Sequence, residues 1–447
     1  MKKPPAPFPF NKLIMLLIVM TVLYAGCGGT TNSSIQNNPP AQTISPAQNA
    51  PPTQNNPTPQ NTSSGQNDPQ SQDDPTAQDT LQPPVELPPT PPALPELAKD
   101  ASVRASDAYA LIADLKQKAS AYDAKAADYR YILNCHDPAA SAAGEFLYAW
   151  SDAVLAATEG KVYIEVGVSN AYSTGGAMAT FDEMLSGYID FDWTLPCYFS
   201  EYFPLSLVIQ HPALGIKNAT AGSFAIWDLY QNNPDIRAEF ANSGKALFVW
   251  TGNPSPLSYR GAARISGIGD IKGNVRGDNG PAQIFINEAG ANAFDCPVGD
   301  IQAYVPTGAL NYLIMDWHGL ASLKLSGTSA LNHYLDANIG SPAYCLMASD
   351  SIWAEIVKNG YADAIQSVSG DYLLNLVGIW EAYEATARQS AAGVGGMIYP
   401  PDDALAEELQ AAFENVAETW ISDTGESARQ VYDQAVTLAD KYNAMFD

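Results

Sequence analysis

Strand-like and helix-like patterns alternate along residues 129–252, and this alternation constrains the fold more than any other feature of the chain. Apolar runs of strand type are separated by segments in which apolar residues recur at helical spacing. These runs lie at 129–134, 161–168, 189–193 and 245–250. A βαβα order needs crossover helices, so it predicts a mainly parallel sheet that is covered on both faces.

The pattern repeats after residue 270, which predicts a second lobe. A short strand ends near Arg276, and helices and strands follow at 281–289, 292–296, 300–310 and 313–316, with β-like runs at 333–337 and 343–348. Beyond residue 350 the pattern is mostly helical. We therefore predict a two-lobed α/β fold with mixed sheets flanked by helices, in which long C-terminal helices brace both lobes. Lobe I would comprise 129–252, completed by 345–386, and lobe II would comprise 253–344, completed by 387–447.

The N-terminus has the pattern of an export signal. Residues 1–27 begin with lysines and continue with an apolar run that is too short for a confident membrane span. Small residues precede Cys27, which resembles the lipobox of bacterial lipoproteins, although Tyr24 stands where Leu is usual. We predict that Cys27 is lipidated and tethers an extracytoplasmic protein to a membrane. An ordinary signal peptide with an incidental cysteine is the alternative.

A linker follows the signal. Residues 28–97 are rich in Pro, Gln and Asn and contain no Lys, Arg or aromatic residue. Such a composition cannot bury enough apolar surface to offset chain entropy, so it predicts a disordered tether. Residues 98–128 have the Ala-rich pattern of an additional helix, which either docks on the folded body or stands in the tether.

Charge and cysteine content restrict the possible partners. The chain has 22 Lys and Arg against 48 Asp and Glu, which argues against a nucleic-acid partner because phosphate binding needs clustered cations.

An exported chain permits disulfides. A Cys135–Cys197 bond is attractive, but buried free thiols remain an equal alternative. The other cysteines of the folded part are Cys296 and Cys345.

Candidate binding residues are those that follow the predicted strands, since ligands of α/β sheets bind at the carboxyl ends of strands. They are His136, Trp193, Asn253, Arg276 and Trp317. Their chemistry suits a polar, aromatic-walled pocket for a small organic anion. The guanidinium of Arg276 matches a carboxylate in two parallel hydrogen bonds.

Each of the two leading candidates also has a structural interpretation. Arg276 could pair on the surface with Asp278 or Asp270. His136 could cap the following helix with the help of Asp137. The histidines do not share the spacing of a zinc site, and no Gly-x-Ser-x-Gly elbow supports a hydrolase.

Five short motifs occur in order along the folded part. They are HDP at 136–138, LSGYID at 185–190, FP at 203–204, DIKGNVR at 270–276 and ALNYLIMD at 309–316. In this order and spacing they resemble the extracytoplasmic solute receptors of TRAP transporters, the DctP-type family, over residues 136–442. The resemblance implies a two-lobed fold of the type II periplasmic-binding-protein kind, with a hinge that closes on the ligand.

The resemblance also implies a function. In that family the arginine after the DLKG-like motif binds the carboxylate of the ligand, and here that position is Arg276. The expected role is to capture a small organic acid and deliver it to TRAP membrane subunits, with no catalysis. A sensor lipoprotein that signals to a membrane kinase is the alternative, and an enzyme on the same scaffold is a third hypothesis.

The sequence departs from the family pattern in three places: the spacing before Arg276, Trp317 where Gly is common after Asp316, and Met347-Ala348-Ser349 where the family has Met-Asn. Two residues separate Gly273 from Arg276, where three are usual, so the guanidinium could be displaced. Asp316 and Trp317 resemble the acidic-Trp pair of metal-dependent keto-acid receptors, which raises the possibility of a Na⁺ or Ca²⁺ ion bridging ligand and protein. In the alternative interpretation, Asp316 caps a turn and Trp317 packs as a wall.

Overall fold

The computed structural model describes residues 94–447, so the predicted signal, Cys27 and most of the predicted tether lie outside the described residues. The strands are β1 (Tyr129–Cys135), β2 (Val162–Gly167), β3 (Phe191–Thr194), β4 (Lys245–Thr251), β5 (Leu257–Tyr259), β6 (Asn274–Arg276), β7 (Asn292–Ala293), β8 (Tyr312–Ile314), β9 (His333–Leu335), β10 (Ala343–Ala348) and β11 (Met397–Tyr399). The α-helices are α1 (Ala101–Ala119), α2 (Ala142–Ala157), α3 (Thr180–Leu185), α4 (Ala219–Asn232), α5 (Pro234–Ala241), α6 (Pro281–Glu288), α7 (Ile301–Thr307), α8 (Trp317–Ser322), α9 (Asp350–Lys358), α10 (Ala362–Ser367), α11 (Gly378–Gly393), α12 (Asp403–Thr424) and α13 (Glu426–Phe446). In residues 94–447, none of these helices combines the length and apolar character that crossing a bilayer requires.

Lobe I is built on a five-stranded sheet with the order β2-β1-β3-β10-β4. Strand β1 pairs in parallel with β2 and β3, as the βαβα pattern predicts. Strand β10 enters from lobe II and therefore pairs antiparallel with both β3 and β4. The sheet is consequently mixed, and β3, β10 and nearly all of β4 are buried, whereas β1 and β2 are partly exposed.

Lobe II is built on a six-stranded sheet with the order β11-β9-β5-β8-β6-β7. Strand β6 is parallel to β7 and β8, whereas β5 is antiparallel to β8 and β9. The pattern did not predict β5 and β11, because these three-residue strands lie beside prolines and glycines that are typical of loops. The predicted mixed α/β fold with two sheets is confirmed.

Two segments of extended chain connect the lobes, one from β4 to β5 and one from β9 to β10. They run side by side, since the Gly252 amide donates to the Pro342 carbonyl and the Ser255 amide donates to the Gly340 carbonyl, each at 2.8 Å. Gly340 has φ +76°, and a Cβ there would lie 2.3 Å from the Gln210 carbonyl oxygen, so only glycine fits. This pair of crossing segments joins the two sheets by their backbones.

The C-terminal helices complete both lobes. Phe413 of α12 packs on Phe285 of lobe II at 5.6 Å between ring centroids. The chain then turns at Gly425, and α13 packs Phe446 on Phe224 of α4 in lobe I, at 4.8 Å. From the sequence pattern, all of 387–447 was predicted to complete lobe II. The buried stripe of α13 places this last helix on lobe I instead.

Helix α1 is docked on lobe I, which decides between the two alternatives for residues 98–128. Arg104 Nη2 lies 2.8 Å from Glu381 Oε1 in α11, and Arg104 Nε donates to Oε2 at 2.9 Å. The Thr220 hydroxyl also donates to Glu381 Oε1, at 2.7 Å. Both charged side chains are buried, so the pair depends on this close and complete hydrogen bonding.

The four cysteines of residues 94–447 are buried free thiols. Cys135 lies in β1, whereas Cys197 lies in a 3₁₀ turn after β3, and the two thiols are not bonded to each other. The structure therefore has buried free thiols and no Cys135–Cys197 disulfide.

We expect Arg104→Met to lower the free energy of unfolding by about 3–5 kcal/mol, because it leaves the Glu381 carboxylate buried without its cationic partner. Urea denaturation of the wild type and the variant measures this difference. Lys118→Met is the matched control on the same helix, since Lys118 pairs with Asp114 at an exposed position and should change stability little. An equal effect of both variants would contradict the role assigned to Arg104.

Candidate functional site

A small cavity lies between the two sheets, where β1, β3, β6 and β8 end. Its volume is about 40 Å³, close to the share of one water molecule in the liquid, about 30 Å³. Polar and aromatic side chains of both lobes form the wall. The lining residues are His136, Asp137, Trp193, Leu195, Tyr198, Arg276, Asp278, Val298, Met315, Asp316, His318, Gly319, Pro342 and Tyr344.

Arg276 is the last residue of β6, and its side chain is only 6% exposed. Nη1 lies 2.7 Å from Asp278 Oδ1, and Nη2 donates a long hydrogen bond of 3.4 Å to the Tyr198 hydroxyl of lobe I. Burial acts to lower the pKa of Arg276, but the Asp278 carboxylate and Tyr198 together outweigh it and raise that pKa. The two hypotheses for Arg276 thus meet in one residue: the guanidinium lines the cavity and also pairs with Asp278.

His136 and Trp193 pack against each other in the wall of lobe I, with ring centroids 4.5 Å apart and ring planes tilted by 34°. Nδ1 of His136 and Nε1 of Trp193 are buried and have no hydrogen-bond partner among the described residues. Burial lowers the pKa of His136, which favours the neutral imidazole. His136 does not cap α2, because Ser141 fills that position and accepts from the Gly144 amide.

Asp316 has two functions at the end of β8. Oδ1 caps α8 by accepting from the Gly319 amide at 2.9 Å. Oδ2 accepts from the Tyr344 hydroxyl of lobe I at 3.3 Å and lies 4.0 Å from His318 Nδ1. Burial raises the pKa of Asp316 to about 6. Asp316 therefore caps a helix, as one interpretation predicted, and also lines the cavity, as the other predicted.

An ion pair joins the lobes beside Asp316. His318 Nε2 of α8 lies 3.0 Å from Asp137 Oδ2 of lobe I. Burial would raise the pKa of Asp137, but the contact with His318 outweighs it and lowers that pKa. Burial likewise acts to lower the pKa of His318, and Asp137 outweighs it and raises that pKa. Together the two shifts favour a charged pair that holds the cleft shut.

Two of the predicted site residues do not line the cavity. Asn253 is buried beside it and donates to the Trp380 carbonyl at 2.7 Å, so its amide ties the crossing segment to α11. Trp317 points into the core of lobe II, where it packs on Tyr334 at 5.1 Å and beneath the Arg388 guanidinium at 4.6 Å. Both side chains support the elements that carry the cavity residues.

Sequence reasoning missed several lining residues. Tyr344 stacks on Trp193 at 5.3 Å, and Tyr198 lies 6.0 Å from the His136 ring. Tyr344 lies at the start of an antiparallel strand, where the rule about carboxyl ends of parallel strands gives no signal. His318 was considered only as a metal ligand, although it directly follows two predicted site residues.

The structure also bears on the possibility of a bridging cation. Among residues 94–447, no group of three or more His, Cys, Asp or Glu side chains has a geometry that could hold a metal ion. Of the polar atoms around Asp316, the amide of Gly319, the hydroxyl of Tyr344 and the imidazole of His318 are the nearest contacts.

Comparison with known families identifies the family of this chain. Residues 135–423 match the model of the DctP family, described as bacterial extracellular solute-binding protein, family 7. The chain belongs to this family. The resemblance inferred from the five motifs is thereby confirmed.

Solved structures of similar fold support the two-lobed architecture. A TRAP solute-binding protein from an unidentified marine microbe, specific for aromatic acids and bound to metahydroxyphenylacetate, is 21% identical with a TM-score of 0.65, over 70% of this chain and 99% of that one. A protein from Rhodoferax ferrireducens with copurified benzoate is 21% identical with a TM-score of 0.64, over 70% and 98%. A protein from Bordetella bronchiseptica with bound mandelate is 20% identical with a TM-score of 0.62, over 70% and 99%. At this identity the likeness establishes the fold.

One curated relative is named as an outer membrane transporter and not as a solute-binding protein. The outer membrane transporter protein TsaT of Comamonas testosteroni is 23% identical over 293 residues, which is 61% of this chain and 80% of that protein.

We expect Asp316 to make the receptor less stable as the pH rises. Its pKa is raised to about 6, so its contribution is fully present below about pH 4 and is lost as the pH rises through 6. Relative to Asp316→Asn, the wild type should therefore lose up to about 3 kcal/mol between pH 4 and pH 7. Denaturant titrations at several pH values measure this.

Asparagine retains the helix cap, so the variant should fold. Asp402→Asn, at the exposed N-cap of α12, controls for the change in cap chemistry. A constant difference between wild type and Asp316→Asn from pH 4 to pH 7 would show that Asp316 does not titrate in this range.

Proposed function

We propose that this receptor captures a small organic acid by pairing its carboxylate with Arg276 as the two lobes close over it. The observation that carries the proposal is the burial of one guanidinium, with 6% of its side chain exposed, in the cavity between the lobes of a DctP-family protein. A buried guanidinium favours an anion because its charge is weakly screened there.

The geometry around Arg276 leaves room for a ligand oxygen. Only Nη1 is engaged at short distance, since the hydrogen bond from Nη2 to Tyr198 is long. The indole N–H of Trp193 is a second donor in the same wall and has no partner within residues 94–447. A carboxylate next to Nη2 would therefore find a charged donor and a neutral donor.

The aromatic wall suits the apolar part of such an acid. Trp193, Tyr198 and Tyr344 present their rings to the cavity. The structures of similar fold support this class, since they bind metahydroxyphenylacetate, benzoate and mandelate. A ring or short apolar chain would stack on these side chains while its carboxylate contacts Arg276.

Closure is part of the mechanism, because a cavity of about 40 Å³ cannot admit an organic acid while the lobes are together. The His318–Asp137 pair and the Tyr344–Asp316 hydrogen bond must separate for entry and form again around the ligand. The crossing segments are the natural hinge, since they connect the sheets. A ligand that touches both lobes stabilises the closed form.

The role is binding and delivery, with no chemical step. The family and its similar structures are solute receptors, and the latter are named as TRAP proteins, which supports delivery to TRAP membrane subunits. We further propose that Cys27 carries the lipid anchor, with residues 28–97 as the spacer to the membrane.

We expect Arg276→Ala to weaken binding of the acid by about 3–5 kcal/mol, because the carboxylate would be buried without a cation. Calorimetry of a panel of small carboxylic acids, with and without an amino group, first identifies the tightest ligand of the wild type. The variant is then measured with that ligand.

Two further variants interpret the result. Arg276→Lys retains the charge but not the planar fork, so intermediate affinity would indicate two-point recognition. Arg130→Ala removes an exposed arginine of lobe I that pairs with Glu165, and it should leave affinity unchanged. Unchanged affinity in Arg276→Ala would remove this residue from the site.

We expect Cys27→Ser to abolish lipid attachment and to release the receptor from the membrane fraction. Metabolic labelling with a radioactive fatty acid, followed by fractionation, measures both. Labelling that persists in the variant would place the lipid elsewhere and contradict the assignment of Cys27.

A further inference from the structure

The charges that line the cavity are not those of a simple anion site. Three carboxylates, those of Asp137, Asp278 and Asp316, outnumber the two positively charged groups, Arg276 and His318. In a chain of net charge −26, more cations would be expected in a cleft that binds a plain carboxylate. The wall instead has acidic groups on either side of its one arginine.

These charges are already matched inside the protein. Arg276 pairs with Asp278 at 2.7 Å, and His318 pairs with Asp137 at 3.0 Å. Asp316 is the remaining carboxylate. Its neighbours are the Tyr344 hydroxyl, the Gly319 amide and, at 4.0 Å, Nδ1 of His318. Among the lining residues, no cation is left without a carboxylate. A plain carboxylate would enter a balanced or negative site and compete with Asp278 for Arg276.

Asp278 is placed to act on the ligand. It lies two residues beyond β6, in the connection to α6, and its side chain is 20% exposed. Two further small cavities adjoin the central one, and Asp278 lines all three. Its carboxylate therefore lines this whole space next to Arg276, which lines two of the three cavities.

We propose that this cleft selects an amphoteric acid, one that carries an ammonium group next to its carboxylate, and that Asp278 is the residue that makes the selection. This inference rests on the proposed function. The ligand carboxylate binds Arg276, and the ligand ammonium takes the place of the guanidinium beside Asp278, with Asp316 as a second acceptor. The ligand carboxylate thus pairs with Arg276 and the ligand ammonium with Asp278, so neither charge of the ligand is buried without a partner.

The test uses pairs of ligands that differ only in the ammonium group. L-phenylalanine is compared with 3-phenylpropanoate, and L-leucine with 4-methylpentanoate, by calorimetry at pH 7. For at least one pair, the wild type should bind the amino acid about ten-fold or more tightly than its partner, since the plain acid adds an uncompensated charge. This comparison needs no variant.

Asp278→Asn then assigns the preference to a residue. It retains the size of the side chain but not the charge, and it should reduce the preference to about two-fold or reverse it, because the plain acid no longer meets a like charge. Asp270→Asn is the matched control, since Asp270 is an exposed carboxylate near the same strand that bonds only locally to Ser266. It should leave the preference intact.

The outcomes separate this inference from the function on which it rests. If benzoate or another plain acid binds through Arg276 and the amino acids bind no better, the inference is overturned while the proposed function stands. A preference that persists in Asp278→Asn also overturns the role of Asp278. If no acid of either kind binds, or binding is indifferent to Arg276→Ala, the proposed function fails first.

Discussion

The buried pair of Arg276 and Asp278 is the interaction around which the cleft is organised. The strand that carries Arg276 ends inside the protein, so the guanidinium is withdrawn from water and must be matched by a carboxylate. The protein supplies one from only two residues away. Any solute that binds Arg276 has to share or replace this contact. The remaining polar groups of the wall determine how strongly the solute binds.

The polar contacts between the two lobes also pair buried groups with partners of matching charge or hydrogen-bonding character. His318 and Asp137 face each other across the cleft, and Asp316 meets the hydroxyl of Tyr344. Each contact has one member on either lobe, so each is lost when the lobes separate. Polar contacts suit this task, because groups that are solvated when the cleft is open lose little by parting. Apolar contacts of equal area would hold the cleft closed more strongly.

Local patterns predicted much of the fold, and the exceptions have identifiable causes. The strands of lobe I have long apolar runs and were found, whereas β5 and β11 were missed because they lie beside prolines and glycines that are typical of loops. The apolar stripe of α13 predicted a helix but not its partner, α4, since many faces could cover it. Asn253 and Trp317 follow strands as site residues should. Even so, their side chains turn into the core.

The sequence alone determined most of the strands and helices, the resemblance to the DctP family and the candidacy of Arg276, His136 and Trp193, because these follow from patterns and motifs along the chain. Asp316 became a candidate only through its resemblance to keto-acid receptors. The tertiary structure alone decided the rest. Asp137 and His318 are 181 positions apart in the numbering and meet only because two sheets face each other across the cleft. The acidic character of the wall arises in the same way, since charge in a cavity depends on distances in space, which spacing along the chain does not report.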